Sequence, residues 1–136
     1  MKKLFNFVKN FLTNKKPDDM VQKELKFAIQ LNSRVAIYIP STVDVDKTTC
    51  NKRQVEKVQS KLSSMFGGAT CTQAYGGWLS MAGNLVTEDV TICYAFCTEE
   101  QLQSHIKEIV NICLALKKEM SQEAISLEIN NKLYFI

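Results

Sequence analysis

Leu4, Phe7, Val8 and Phe11 recur at the spacing of one helix face, and Phe5 and Leu12 widen that stripe. Lys15-Lys16-Pro17-Asp18-Asp19 interrupts it. Pro17 suits the first turn of a second helix, which Val21, Leu25, Ala28 and Ile29 carry to about Leu31. Residues 1–33 are therefore expected to form a helical arm ahead of a main domain, residues 34–136.

In the main domain the period changes. Arg34 to Ile39 alternates, with Val35, Ile37 and Ile39 on one side and Ala36 and Tyr38 on the other, so a half-buried strand is predicted that stops at Pro40. Ser41 to Cys50 is a polar loop. Asn51 and Gln54 have capping-box spacing ahead of a helical stripe, Val55, Val58, Leu62, Met65 and Phe66, closed by Gly67-Gly68. Ala69 to Tyr75 is a second strand, Gly76 to Asn84 a turn region, and Leu85 to Cys97 a third strand. Thr98 and Gln101 form another capping box, before a helix marked by Leu102, Ile106, Ile109, Cys113 and Leu116. Ile125, Leu127 and Ile129 alternate in a fourth strand. Asn130-Asn131 is a turn, and Leu133 to Ile136 pairs back.

The order βαββαβ predicts an α+β, ferredoxin-like antiparallel sheet with two helices on one face, an N-terminal helical arm and a short C-terminal hairpin extension. Val35, Ile37, Ile39, Val90, Ile92, Tyr94 and Phe96 are expected under the helices, with Ile125, Leu127 and Ile129. Ala36, Tyr38, Thr91, Cys93, Ala95, Ser126 and Glu128 are expected on the open face. So small a set on an open face suggests a cover, and a homo-oligomer is expected.

Composition narrows the class. With 136 residues, 46% hydrophobic and 23% charged, the chain holds one folded domain and is not disordered. A net charge of +3 is too weak to suggest a nucleic-acid protein. No apolar run approaches the ~18–20 residues of a spanning helix, so no stable membrane insertion is expected. The basic start resembles a signal peptide, but Lys9, Asn10 and Asn14 interrupt its apolar run, and a cytoplasmic protein is expected. Leu4, Phe7, Val8 and Phe11, set among lysines, are candidate partner-binding residues.

The five cysteines, Cys50, Cys71, Cys93, Cys97 and Cys113, cannot form a closed disulfide set and are expected as free thiols. Cys93 and Cys97 lie ~13 Å apart along a strand, at ~3.3 Å per residue, too far to share one metal. No metal site and no cofactor is expected.

Phe66, Thr70, Gly77, Trp78, Gly83 and Glu88 follow a recognisable spacing. The segment resembles a bacterial family of small ferredoxin-like domains of unknown function. That family carries a Phe, a Gly-x-Thr, a Gly-x-Trp or Gly-Trp step, a Gly, and a Glu opening the next strand. The chain departs from it at Gly67-Gly68-Ala69, where the family has a Pro and one more residue. Arg34 to Ile136 also looks like small proteins of phages and mobile elements. These resemblances imply the fold and a mobile-element origin, and name no activity.

Candidate chemistry centres on Tyr75, Gly76, Gly77 and Trp78. The aromatics offer stacking surfaces and the glycine N–H groups offer anion donors, which suits a nucleotide-like ligand; a structural hairpin explains the same residues. Asp44 and Asp46 form a D-x-D pair able to reach one divalent ion. Glu88 and Asp89 point to opposite sides of a strand, so they are not an acid/base pair. His105 has no nucleophile tied to it. Only Tyr38 places an aromatic on the predicted open face, which argues against RNA recognition. No catalytic residues emerge. The expected function is therefore a non-enzymatic oligomeric binding protein of phage or mobile-element type, sequestering a nucleotide-like signal or blocking a host defence protein. One alternative is an interaction module docking through its basic N-terminal helix. Another is a metal-dependent enzyme centred on Asp44 and Asp46.

Overall fold

The computed structural model describes residues 17–43 and 47–136. Leu4, Phe7, Val8 and Phe11 lie outside those residues, as do Asp44 and Asp46. The described residues up to Gln30 and those from Leu31 onward belong to two separate units. In the first, helix α1 spans Pro17–Glu24, shorter than its apolar spacing predicts. Beyond it the chain closes in turns, with Leu25 N donating to Val21 O and Ala28 N to Leu25 O.

The second unit runs β1 (Ser33–Pro40), β2 (Thr42–Val43), β3 (Lys47–Thr48), α2 (Lys52–Phe66), β4 (Thr70–Leu79), β5 (Leu85–Cys97), α3 (Glu99–Glu119), β6 (Ser126–Ile129) and β7 (Lys132–Phe135). Five strands form one antiparallel sheet in the order β4-β5-β1-β6-β7. This is the α+β, ferredoxin-like arrangement expected, with the C-terminal hairpin added at one edge. The polar loop after β1 contains a short ribbon, β2 against β3. Among the described residues, no helix is long and apolar enough to cross a membrane.

Local signals set the helix ends. Thr98 and Gln101 close the capping box of α3, at 3.1 and 3.0 Å. Gly67 ends α2 at φ 88°, a left-handed conformation that a Cβ would penalise. Asn51 does not cap α2 with its side chain. Its Nδ2 donates instead to Pro40 O at 3.1 Å and Thr91 Oγ1 at 3.3 Å, tying the helix entry to the sheet.

The core lies between the helices and one sheet face. Val58 and Leu62 of α2 and Ile109, Cys113 and Leu116 of α3 bury against Val35, Ile37, Ile39 and Leu127. Each of the aliphatic side chains among these contributes about 1.5–3 kcal/mol through burial.

The register of β5 corrects the predicted faces. Val35 pairs with Ala95, Ile37 with Cys93 and Ile39 with Thr91. Paired residues share a face, so Thr91, Cys93, Ala95 and Cys97 lie under the helices, and all four are buried. Val90, Ile92, Tyr94 and Phe96 lie on the open face, and Phe96 is 50% exposed. Slipping one residue exchanges the two sets. Small side chains under α2 and α3 let the helices approach the sheet, and the bulky set is left outside.

The same pairing corrects the expectation of five free thiols. Cys71 stands opposite Cys93 with Cα atoms 4.1 Å apart, and the two are joined in a disulfide. Cys50, Cys97 and Cys113 are free. Burial pushes the Cys113 thiol up to about 12, and burial also raises that of Cys97.

Candidate functional site

Strand β1 ends at Pro40, paired with Val90, while β4 and β5 continue together for five more pairs, Tyr75↔Asp89 to Leu79↔Leu85. The strand therefore extends through Gly76 and Gly77, which were expected in a turn. The turn itself is Ser80 to Asn84, with Gly83 at φ 81° and Ser80 N donating to Asn84 O.

Two adjoining clefts lie along this hairpin. The first, of about 460 Å³, is lined by Tyr38, Tyr75, Gly76, Gly77, Glu88 and Gln122 among others. The second, of about 320 Å³, lies beside the β2–β3 ribbon and is lined by Ser41, Thr42, Thr48, Trp78, Thr87 and Glu88 among others. Glu88 belongs to both. It stands opposite Gly76, where an added Cβ would meet Glu88 Cγ at 3.5 Å and Oε1 at 3.8 Å. The bare glycine backbone lets the Glu88 side chain lie across the neighbouring strand. Ser41 Oγ donates to Asp89 O at 2.6 Å and fastens the ribbon side of the hairpin.

The predicted residues thus come together in part. Tyr75, Gly76 and Gly77 share the first cleft, and Trp78, 44% exposed, lines the second. Strand alternation puts Tyr75 and Trp78 on opposite faces of the ribbon. Gly76 and Gly77 are ordinary strand, without the positive φ of an anion-binding turn.

Glu88 and Tyr38 were not singled out as site residues. Glu88 is followed directly by Asp89 in sequence, and its place beside Gly76 follows only from strand pairing. Tyr38 sits on the open face, as its alternation predicts, opposite Ile92. Its hydroxyl donates to Glu128 Oε1 at 3.2 Å, and Glu128 Oε2 accepts from Arg34 Nη1. The Arg34 guanidinium also lies over the Tyr94 ring, 4.7 Å from its centroid. Burial, and then the Glu128 carboxylate, push the Tyr38 phenol above its usual range. His105 packs edge-on against Phe66 at 5.6 Å, away from both clefts. Among the described residues, no three His, Cys, Asp or Glu side chains are grouped to hold a metal.

No protein-family model and no curated protein sequence matches the chain. Its fold is similar to that of a phage SAM lyase solved in complex with S-methyl-5'-thioadenosine, at TM-score 0.54 and 18% identity over 80% of this chain and 94% of that one. A phage SAM lyase in the apo state gives TM-score 0.56 and 19% identity, over 78% of this chain and 89% of that one. A Bacillus cereus protein related to NIF3 aligns at TM-score 0.45 and 12% identity, over 76% of this chain and 25% of that one. The expectation of a non-enzymatic binding protein is overturned here: two solved phage chains of similar fold are SAM lyases.

Proposed function

We propose that this chain is an enzyme of the SAM-lyase type, which binds S-adenosylmethionine in the Glu88 cleft and releases S-methyl-5'-thioadenosine. The observation that carries the reading is Glu88, a carboxylate shared by two adjoining clefts on a fold that phage SAM lyases also have. S-adenosylmethionine is a sulfonium cation. A carboxylate between apolar and aromatic walls attracts such a cation more strongly than one in open water.

The chemistry is compatible with that site. S-methyl-5'-thioadenosine is S-adenosylmethionine without its aminobutyrate chain. The breaking bond joins sulfur to that chain, and sulfur keeps the electron pair and leaves as a neutral thioether. A lyase completes the step without water: the departing chain loses a proton or closes on its own carboxylate. Glu88 holds the cation and is in position to take a proton. Trp78 supplies the adenine with a stacking surface, and Tyr75, Gly76 and Gly77 frame the cleft beside it.

A second copy of the chain is the partner in this reading. Beyond the cleft, Tyr94 and Phe96 leave the open face apolar, and such a face marks an interaction surface. A phage origin, and a helical arm over residues 1–33 ahead of a catalytic domain over residues 34–136, belong to the same reading.

Incubation of the purified chain with S-adenosylmethionine, followed by chromatography of adenine-containing products, tests the activity. S-methyl-5'-thioadenosine is expected to accumulate as substrate disappears, faster than in buffer. Substrate left intact by the folded protein at the buffer rate would overturn the assignment.

A further inference from the structure

Strands β4 and β7 are the two edges of the five-stranded sheet, and they differ. β7 has four residues and opens on Lys132. β4 runs for ten residues, Thr70–Leu79, with no charged residue and no proline, and none of its residues is buried. Its pairing with β5 is one-to-one from Thr70↔Tyr94 to Leu79↔Leu85, so no bulge interrupts it. Short length, charge, proline and bulges keep an edge strand from pairing with another chain, and β4 has none of them. Residues of an antiparallel strand aim their N–H and C=O to alternate sides. Ser80 N donates to Asn84 O across the hairpin turn, so the even-numbered residues of β4 face β5. Ser41 Oγ reaches Asp89 O from the far side of β5, so Asp89 turns its backbone away from β4 and its partner Tyr75 does the same in the other direction. The N–H and C=O groups of Cys71, Gln73, Tyr75, Gly77 and Leu79 therefore point out of the sheet, where no strand lies among the described residues.

We propose that this edge pairs with the same edge of a second copy, antiparallel about a two-fold axis, so that two five-stranded sheets become one. The partner follows from the chemistry of the strand. The outward groups alternate donor and acceptor at the period of an extended backbone, and another extended backbone complements them. A second β4 supplies one over the same length, and a two-fold axis sets a segment antiparallel to itself. Like charges directly opposite across a ladder repel. β4 carries no charge, so nothing opposes its pairing with its own copy. The contact uses one edge from each copy and closes at two chains. It is separate from the open face, and it does not depend on the lyase reading.

Light scattering and residue-resolved amide exchange on the full chain test the contact. Phe96→Asp, which alters only the open face, should leave a mass of two chains at hundreds of micromolar. Adding Gln73→Pro should halve that mass. Proline at this position removes an outward N–H and keeps the ladder to β5. If a thermal melt shows that variant unfolded, Gln73→Lys, which sets a charge on each facing strand, decides in its place. In the Phe96→Asp chain the amides of Gln73, Tyr75 and Gly77 should exchange slowly, and adding Gln73→Lys should speed those of Tyr75 and Gly77 while the amides of Thr72 and Ala74, held by β5, stay slow. A single-chain mass for Phe96→Asp overturns the inference. So do outward amides that exchange as fast as those of an exposed loop, and so does a mass of two chains that neither Gln73 variant lowers.

Discussion

Gly76 stands directly across the β4–β5 ladder from Glu88, and a methyl group at Gly76 would reach ordinary contact distance of the Glu88 side chain, 3.5 Å from Cγ. The pair makes the site sensitive to size at one position and to charge at the other. Under the proposed lyase reading, Gly76→Ala should retain most activity, whereas Gly76→Val should displace Glu88 and lower kcat/KM. Glu88→Gln preserves shape and removes the charge and the base, and should lower kcat by about 100-fold or more. Product chromatography on variants with unchanged thermal melts checks this, and a fully active Glu88→Gln removes Glu88 from the chemistry.

Trp78 lies outside the helix-covered core, so its truncation leaves no core cavity. Trp78→Ala should weaken S-methyl-5'-thioadenosine by roughly tenfold, since stacking on an aromatic is worth ~1–3 kcal/mol per base. Melting should hardly move. A large drop in melting temperature, on the scale of ~3–5 kcal/mol for a buried aromatic, would identify Trp78 as a packing residue instead.

Thiol titration of the denatured, unreduced chain should find three thiols, because Cys71 and Cys93 are bonded. In the folded state at pH 8, iodoacetamide should label Cys50, which is exposed, and spare Cys113, whose burial holds it protonated until about pH 12. Five thiols in the unreduced chain would contradict the cross-strand bond.

Light scattering should give a mass above that of one chain at tens of micromolar. Phe96→Asp, on the open face, should lower that mass without unfolding the protein, because Phe96 is half exposed in a single copy. A wild-type monomer at that concentration would remove the second copy from the open face.

Much of the architecture was legible because it rests on local signals. Thr98 with Gln101, Gly67 after Phe66, and Asn130-Asn131 each specify a boundary through their own backbone chemistry, and each acts there in the structure. Strand β5 was harder. Thr91, Cys93, Ala95 and Cys97 alternate with Val90, Ile92, Tyr94 and Phe96, and neither set is polar enough to be assigned to water. Hydropathy favours the larger set inside; the space beneath two packed helices selects the smaller. Tyr75 to Trp78 were found as candidates because glycine and aromatic residues are conspicuous in sequence. Glu88 stands in the family-like spacing, but that spacing names no chemistry, and the carboxylate acquires a place in the clefts only from the glycine paired with it.

Past Pro40 the outer hairpin is held in the sheet by a single ladder, while Val90 to Tyr94 of β5 is flanked on both sides. The helices bury their apolar faces against the flanked part. Sequence change in the outer hairpin therefore alters what the clefts accept with little effect on whether the chain folds.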